Sequence, residues 1–304
     1  MSIANSVFPV FLLMFLGYGI KKLRLLKQED TGVLTTVIIY LTLPCFVFEA
    51  IYRHRAGLPP SIAKVPFVGL GMIIVVLIAA YIIGRMFKLD RPTLGGFILA
   101  AGFGNTGFLG YPVVQAAFGQ DALITAALYD ELAMAFPLYT LGTFIAASFA
   151  GARAEAKSVL KLASAPAVWV IPLALLVRPY NIPEPVTKTI QYLAAGTVPL
   201  AMISLGLSLS ARSIKGLALP VFTACALKLA LLPVITFYAA RATGIAGQVQ
   251  TVMVLESGMP SAVMACVVAS KFGANERFVA GVVFVSTILS IAAIPLTLVI
   301  LGAH

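Results

Sequence analysis

The segment from Gly95 to Gly119 constrains this chain most, because it is apolar over a membrane-spanning length yet unsuited to a regular helix. It contains seven glycines, one proline and one asparagine. Pro112 has no backbone N–H and leaves a carbonyl one turn earlier unpaired, while Gly107 and Gly110 let the backbone open nearby. Irregular backbone at membrane depth is tolerated only where protein or a water-filled cavity covers it. The segment therefore predicts a broken helix, with Asn105 one turn before the break and facing a cavity.

Discontinuous helices near the membrane midplane commonly form the substrate sites of secondary transporters, so this segment favours a transport function. The alternative is an intact helix whose glycines form a close packing face for a neighbouring helix. Composition excludes an ordinary soluble domain, because 61% of the 304 residues are hydrophobic and 11% are charged. The net charge of +10 comes from basic residues that lie mostly between apolar segments, which is typical of membrane topology rather than of nucleic-acid binding.

The apolar segments predict a polytopic all-α protein with ten spans, since about 20 residues are needed for each crossing. The N-terminal segment has no basic leader, so we expect a retained helix rather than a signal peptide. The three cysteines lie within apolar segments and predict neither a disulfide framework nor a metal cluster. The predicted spans are Asn5 to Lys22, Leu34 to Ile51, Val65 to Phe87, Leu94 to Phe118, Ala122 to Phe149, Leu162 to Val177, Val186 to Leu209, Gly216 to Arg241, Val249 to Ser270 and Phe278 to Leu301.

The chain also repeats itself at an offset of about half its length. Phe118-Gly119, at the end of span four, corresponds to Phe272-Gly273 at the end of span nine. Residues 1–150 and 151–304 are therefore predicted to be two five-helix repeats, and an odd number of spans inserts them with opposite orientation. Span nine contains its own proline, Pro260, so the pattern predicts two broken helices that meet near the midplane. The distribution of Lys and Arg places both termini outside the cell.

Several ionisable residues lie within or near apolar spans, where an acid at the centre costs about 2.5–3.5 kcal/mol on insertion scales. Glu256 lies four residues before Pro260, where freed carbonyls and a carboxylate together suit a small cation or a proton; the alternative is a structural hydrogen bond. Asp130 and Glu131 are adjacent and point in different directions on a helix, so at most one is expected to reach the site. The other is expected to pair with Lys228 or to carry a proton.

Two further features concern polar groups outside these central acids. Glu49 lies near a span end and is expected to pair with Arg53 or to extend to the interface rather than to bind a ligand. Thr106, Ser257 and Ser261 flank the two breaks and are candidate hydrogen-bond donors to an anionic substrate. A helix N-terminus after each break adds positive dipole character, which favours carboxylates.

The two proline-containing motifs resemble those of the auxin efflux carrier family, especially its bacterial members. The first is NTGFLGYP at positions 105–112, followed by Phe118-Gly119, and the second is MPSAV at positions 259–263, followed by KFG at positions 271–273. The terminal span, which ends in IPLTL at positions 294–298, fits the same pattern, so the resemblance covers the whole chain. Plant auxin carriers have a long loop between their halves, whereas only residues 150–161 separate them here.

The resemblance implies an elevator-type carrier of the bile-acid and sodium symporter superfamily. Spans one, two, six and seven would form a scaffold, and spans three to five and eight to ten would form the moving transport domain. Bacterial relatives are associated with small carboxylates such as malate and malonate. In the sodium symporter branch a Glu-x-Gly-Met run contributes to sodium binding, and residues 256–259 match that run. That branch usually has glutamine at the position of Pro260, so sodium coupling is a hypothesis.

The favoured function is secondary transport of small organic anions in the bacterial inner membrane, coupled to sodium or protons, by a protein that contacts lipid but no nucleic acid. A homodimer through the scaffold spans is expected by family analogy. The alternatives are a passive channel and, less favoured, an intramembrane enzyme, since neither histidine is well placed as a base. The predicted substrate site comprises Asn105, Thr106, Gly107, Gly110, Pro112, Met259, Pro260 and Ser261. The predicted coupling site comprises Glu256, Ser257, Asp130 and Glu131, with Glu256 as the sodium ligand and no other cofactor.

Overall fold

The structure is a computed structural model that describes residues 3–54, 59–151, 166–209 and 217–302, and helices account for most of these residues. Six helices, α2, α3, α6, α8, α9 and α12, are long and apolar enough to cross a bilayer. Within the described ranges the β-type pairing is limited to one isolated bridge. In chain order the helices are α1 Ile3–Lys22, α2 Gln28–Arg53, α3 Pro60–Met86, α4 Arg91–Gly102, α5 at residues 106–118, α6 Gln120–Ala150, α7 Pro166–Val177, α8 Glu184–Ser208, α9 Ala218–Ala242, α10 Gly247–Ser257, α11 Val263–Phe272 and α12 Glu276–Ile300. An all-α polytopic membrane protein is thus confirmed.

The predicted spans four and nine are each divided into two helices, α4 with α5 and α10 with α11. Parts of other predictions fall outside the described residues: the start of span six at Leu162, the start of span eight at Gly216, and most of the basic connector between the halves. Large apolar side chains cover the outer surface, among them Phe67, Tyr192 and Ile300. Such a surface requires a hydrocarbon environment.

π-helical turns interrupt several of the long helices near their centres, and prolines lie beside these turns. A proline ring clashes with the carbonyl four residues earlier, and the wider i→i+5 winding of a π turn moves that carbonyl away. The prolines are therefore accommodated by local widening of the helix. The π turns are Ile38–Thr42 before Pro44, Thr106–Gly110 before Pro112, Tyr129–Ala135 and Leu138–Gly142 on either side of Pro137, and Leu227–Leu231 before Pro233.

The helices pack in two groups. Helices α1, α2, α7 and α8 pack mainly against one another, whereas α3, α4, α6 and α9 to α12 pack around the two broken segments. The first group contains a very close approach of α1 to α8, since a Cβ atom at Gly206 would lie 2.7 Å from the backbone nitrogen of Tyr18. Only glycine permits that backbone contact.

Candidate functional site

The two breaks cross each other as short extended segments inside the protein. Gly104 and Ser261 form an isolated antiparallel bridge. The N–H of Asn105 donates to the carbonyl of Pro260 at 2.7 Å, and the N–H of Ala262 donates to the carbonyl of Phe103 at 3.0 Å. Backbone groups released by one broken helix are thus satisfied by the other, as burial requires.

The position of the first break differs from the prediction. The chain leaves helical geometry at Phe103, and Asn105 lies within the break instead of one turn before it. Pro112 lies inside α5, because the π turn widens the helix so that the N–H of Tyr111 bonds to the carbonyl of Thr106. The predicted opening between Gly107 and Pro112 was therefore wrong. The second break, at residues 258–262, includes Pro260 and lies within predicted span nine.

A cavity of about 60 Å³ lies beside the crossing, between the two groups of helices. Ile39 and Leu43 of α2 form one wall, and residues of both broken segments and α6 form the others. Its volume is large enough for a few water molecules, or for a small solute if the walls move slightly. Its full lining is Ile39, Leu43, Gly104, Asn105, Gly107, Phe108, Asp130, Glu131, Met134, Ala135, Leu138, Tyr139, Ala262 and Met264.

Asp130 and Glu131 both line this cavity, so the prediction that only one of them reaches the site was wrong. Both belong to the π turn Tyr129–Ala135, whose wider winding separates successive side chains by a smaller angle than an α-helix does. Asp130 accepts a hydrogen bond from the hydroxyl of Thr106. The hydroxyl of Tyr111 lies 3.5 Å from Glu131 Oε1. Both acids are thus held against the first broken helix.

Asn105 supplies a free donor at the cavity. Its side chain is buried, and its Nδ2 atom has no hydrogen-bond partner in the described structure. The first turn of a helix leaves its backbone N–H groups without intrahelical acceptors. Gly107 and Phe108, in the first turn of α5, and Met264, in the first turn of α11, line the cavity as well. The cavity therefore combines unused donors and two helix N-termini with the two acids.

The hydroxyl groups beside the breaks are already engaged as donors. The hydroxyl of Ser257 donates to the carbonyl of Val254 at 2.7 Å, and that of Ser261 donates to the carbonyl of Ala100 at 2.7 Å. The hydroxyl of Thr106 donates to Asp130. The expectation that these three hydroxyls donate to an anionic substrate is therefore wrong for this conformation, because each hydroxyl has only one hydrogen to donate.

Glu256 is fully buried at the end of α10, and neither of its carboxylate oxygens has a hydrogen-bond partner. It presses against the first broken helix, because a Cβ atom at Gly110 would overlap its carboxylate. Lys228 of α9 is also fully buried and donates to the carbonyl of Ser257. Lys228 interacts electrostatically with Glu256, without an ion pair within 4 Å, and forms no ion pair with Asp130 or Glu131 among the described residues.

The structure brings four of the predicted site residues to the cavity wall: Asn105, Gly107, Asp130 and Glu131. The others lie behind that wall, buried in the crossing or in the adjoining helices: Thr106, Gly110, Pro112, Glu256, Ser257, Met259, Pro260 and Ser261. Among the wall residues missed from the sequence are Met134, whose sulfur accepts the N–H of Gly104 at 3.1 Å, and Tyr139. Both follow the two acids within about two turns of the same apolar span, and that proximity in sequence is the signal that could have found them.

A second polar cavity, of about 470 Å³, lies between α2, α5 and α8 and has Phe46 in its wall. Its wall includes Glu49 and Arg53, whose predicted ion pair is confirmed at 3.0 Å. Gln115, Gln120 and Gln191 also contribute to its lining. The ring of Phe46, in the wall of this cavity, lies 5.6 Å from that of Tyr111, whose hydroxyl is beside Glu131, so an aromatic contact joins the two groups of helices here.

No group of three or more His, Cys, Asp or Glu side chains able to hold a metal ion occurs in the parts of the chain that the structure describes. A cation at the second break would depend on Glu256 and on backbone carbonyls. The unpartnered carboxylate of Glu256 suits such a cation or a proton, since a buried charge needs compensation.

Comparison with known proteins gives consistent matches over the whole length. A family model described as a membrane transport protein matches residues 2–154 and 152–298. An uncharacterised transporter of Methanocaldococcus jannaschii is 33% identical over 300 residues, which cover 96% of each chain. One from Methanothermobacter thermautotrophicus is 31% identical over 99% of each chain. A Rhizobium meliloti protein with the provisional name of malonate transporter is 27% identical over 96% of this chain and 93% of its own. These relatives are named as transporters and not as enzymes.

Proposed function

Because this chain belongs to the membrane transport protein family, which includes the auxin efflux carriers, we propose that it is a secondary active transporter of small organic anions. The observation that carries this proposal is the crossing of two broken helices beside a cavity that offers unused hydrogen-bond donors. The membrane transport family excludes the intramembrane enzyme as an alternative. The provisional name of the Rhizobium meliloti relative supports a carboxylate as the substrate.

Carboxylate binding follows from the donors on the cavity wall. A carboxylate placed between Asn105 and the first turns of α5 and α11 would accept the free amide hydrogen of Asn105 and face the positive ends of two helix dipoles. The opposite wall carries Asp130 and Glu131, which repel an anion when both are ionised. Protons or a cation must therefore neutralise these acids before the anion binds well. That requirement couples uptake of the anion to a proton or a cation.

We further propose that the substrate moves by an elevator cycle. Helices α1, α2, α7 and α8, which pack mainly on one another, form the fixed scaffold, and the remaining helices form the transport domain. Ile39 and Leu43 of the scaffold line the cavity together with residues of the transport domain, so sliding between the groups would carry the solute from one side to the other. Separation of Phe46 from Tyr111 would open the route through the second polar cavity.

The same proposal includes the architecture and location expected from the sequence. Ten spans form two inverted five-helix repeats in the bacterial inner membrane, with both termini in the periplasm and a homodimer formed through the scaffold. Two divided spans at corresponding places in the two halves support the repeat. Accessibility of single cysteines introduced near residue 23 and residue 87 tests the orientation, since both positions are expected to face the cytoplasm.

Uptake into proteoliposomes tests the function. The purified protein is assayed with small mono- and dicarboxylates, with and without sodium and proton gradients. Asn105→Ala is expected to raise KM at least about tenfold, since a hydrogen bond to a charged partner is worth about 1.5–3 kcal/mol. Glu131→Gln is expected to abolish the response to the driving gradient, because the acids of the cavity wall carry the charge that the driving ion neutralises. Normal transport by both variants would show that the site lies elsewhere.

Asn275→Ala provides the matched control for Asn105→Ala. The side chain of Asn275 caps α12 by accepting from the N–H of Phe278 at 3.1 Å, and it donates to Thr93 at 2.8 Å, far from the cavity lining. Its removal is expected to lower the melting temperature and to leave KM unchanged. Saturable counterflow by the wild-type protein distinguishes a carrier from a passive channel, because exchange requires a carrier cycle.

A further inference from the structure

Lys228 occupies an unusual place for a lysine, at the centre of an apolar helix and beside the second break. Its side chain is fully buried, and its ammonium donates to the carbonyl of Ser257, the last residue of α10. The first break lies against it on the other side. A Cβ atom at Gly104 would be 2.6 Å from Lys228 Cε and 2.8 Å from Nζ. The ammonium is therefore enclosed between the two crossing segments.

The surroundings of this ammonium are those that a small free cation needs. The Ser257 carbonyl is one of the oxygens that helix termination leaves free. The carbonyl of Met259 lies 3.3 Å from the same Cβ position at Gly104 and so flanks the lysine. Glu256 supplies a negative charge within electrostatic range, and its two oxygens have no other partner. Carbonyl oxygens and a carboxylate are the ligands that hard cations prefer.

Two local features make room for the lysine. The π turn Leu227–Leu231 places Lys228 at a widened part of α9. Gly104 has no side chain, so the first break approaches the lysine stem closely. These features come from separate segments of the chain, and both are needed for the ammonium to reach the carbonyl of Ser257. This accommodation favours a specific role over chance burial, because ionisable groups inside membranes are expensive to bury.

We propose that the Lys228 ammonium is a built-in cation that takes the place of a coupling sodium ion at the second break. It balances Glu256 and satisfies the carbonyl oxygens that sodium would bind. The inference rests on the proposed function, which it narrows: transport is independent of sodium, and any driving ion acts at Asp130 and Glu131 on the cavity wall. Residues 256–259 would then share their sequence pattern with the sodium symporter branch without binding the sodium ion that this pattern binds there.

The test compares the wild type, Lys228→Gln and Lys64→Gln in sodium chloride and in choline chloride of equal concentration. Glutamine retains a donor for the Ser257 carbonyl and removes the charge. Lys64 is the matched control, because it also donates to a backbone carbonyl, that of Thr243 at 2.8 Å, from an exposed position. Carboxylate uptake into proteoliposomes and the melting temperature in detergent are measured for each protein.

The wild type is expected to give the same uptake and the same melting temperature in both salts. Lys228→Gln is expected to lose at least about tenfold in uptake in choline, because Glu256 is left buried without a compensating charge. Lys64→Gln is expected to match the wild type. Uptake by the wild type that requires sodium, or a melting temperature that sodium raises specifically, would overturn the proposal. Unchanged uptake by Lys228→Gln would also overturn it.

Failure of the proposed function has a different signature. It would appear as absence of carboxylate uptake by the wild type in every salt. The melting temperature of the wild type in sodium and in choline still decides the role of Lys228 in that case, and it requires no variant. A sodium-specific stabilisation refutes the built-in cation, and equal melting in both salts supports it.

Discussion

The two breaks share a backbone plan and differ in what surrounds them. Both are short extended segments, and each satisfies backbone groups of the other. The first, at residues 103–105, opens onto the cavity and leaves the amide of Asn105 free. Beside the second, at residues 258–262, Ser257, Ser261 and Lys228 each donate to a carbonyl, and the buried carboxylate of Glu256 lies next to Lys228 in charge balance rather than in a hydrogen bond. Two breaks of similar geometry therefore have different roles: the first faces the solute, and the second holds the crossing together.

The contact between the breaks is tested most severely by Gly110→Ala. The new methyl group would overlap the carboxylate of Glu256, which is fully buried. We expect a loss of stability of about 1–3 kcal/mol and loss of uptake, because overpacking of a buried contact forces neighbouring groups to shift. Thermal unfolding and uptake measure the effect. Gly71→Ala is the control, since nothing lies within 4 Å of its Cβ position; equal behaviour of the two variants would contradict this packing.

The solute-facing role of the first break is tested by Asp130→Asn. Asparagine retains the shape and the acceptor for Thr106 but removes the charge that must be neutralised when an anion binds. We expect gradient-driven uptake to be lost with little change in melting temperature, because the neutral amide keeps the internal hydrogen bond but has no charge for the driving ion to compensate. Asp121→Asn, an exposed acid at the start of the same helix, is expected to transport normally. A loss of stability without loss of uptake would assign Asp130 a structural role.

If the second break holds the crossing together, two buried serines beside it are expected to differ in how much they stabilise the protein. Ser261→Ala removes a hydrogen bond to Ala100 in the other broken helix, whereas Ser257→Ala removes one to Val254 in its own helix. Both bonds are 2.7 Å long, so distance is matched. We expect Ser261→Ala to cost about 1 kcal/mol in unfolding free energy and Ser257→Ala to cost less. Chemical or thermal unfolding in detergent measures both, and a larger loss for Ser257→Ala would contradict the distinction.

The ion pair that lies outside both breaks is expected to have the smallest effect on stability and uptake. Glu49→Gln removes the ion pair with Arg53 on α2, whose arginine side chain is about half exposed. Pairs at i,i+4 on a helix contribute about 0.3–0.5 kcal/mol, so we expect a small change in melting temperature. The KM of the carrier measures whether this pair contacts the substrate. A rise in KM as large as that of Asn105→Ala would indicate that the solute binds in the second polar cavity instead.

The sequence predicted the existence of both breaks better than their positions. Pro260 lies inside an extended segment, so its position indicated the second break correctly. Pro112 was misleading, because a proline can also be accommodated by a π turn, and the glycines cannot specify which of the two outcomes occurs. Burial of Glu256 and Lys228 followed from their places in apolar spans. Their relation did not, since it depends on contacts between α9, α10 and the first break.

The prediction of how Asp130 and Glu131 are oriented was wrong for a related reason. Periodicity arguments assume regular α-helical winding, and the π turn that carries both acids changes the angle between them. The hydroxyls of Thr106, Ser257 and Ser261 were correctly placed beside the breaks, but hydrogen bonds within the protein occupy them. Such competition between internal and external partners is visible only in three dimensions.

The bridge between Gly104 and Ser261 has a consequence for how the protein is made. Its partners come from opposite halves of the sequence, and the bond between Ser261 and Ala100 spans 161 positions. While the ribosome is still synthesising the second half, the open backbone of the first break has no final partner in the bilayer, because its partners are Pro260 and Ala262. A nascent chain that stops before residue 261 thus contains most of the cavity wall and cannot close it. Such truncated chains should be prominent substrates for membrane quality-control proteases.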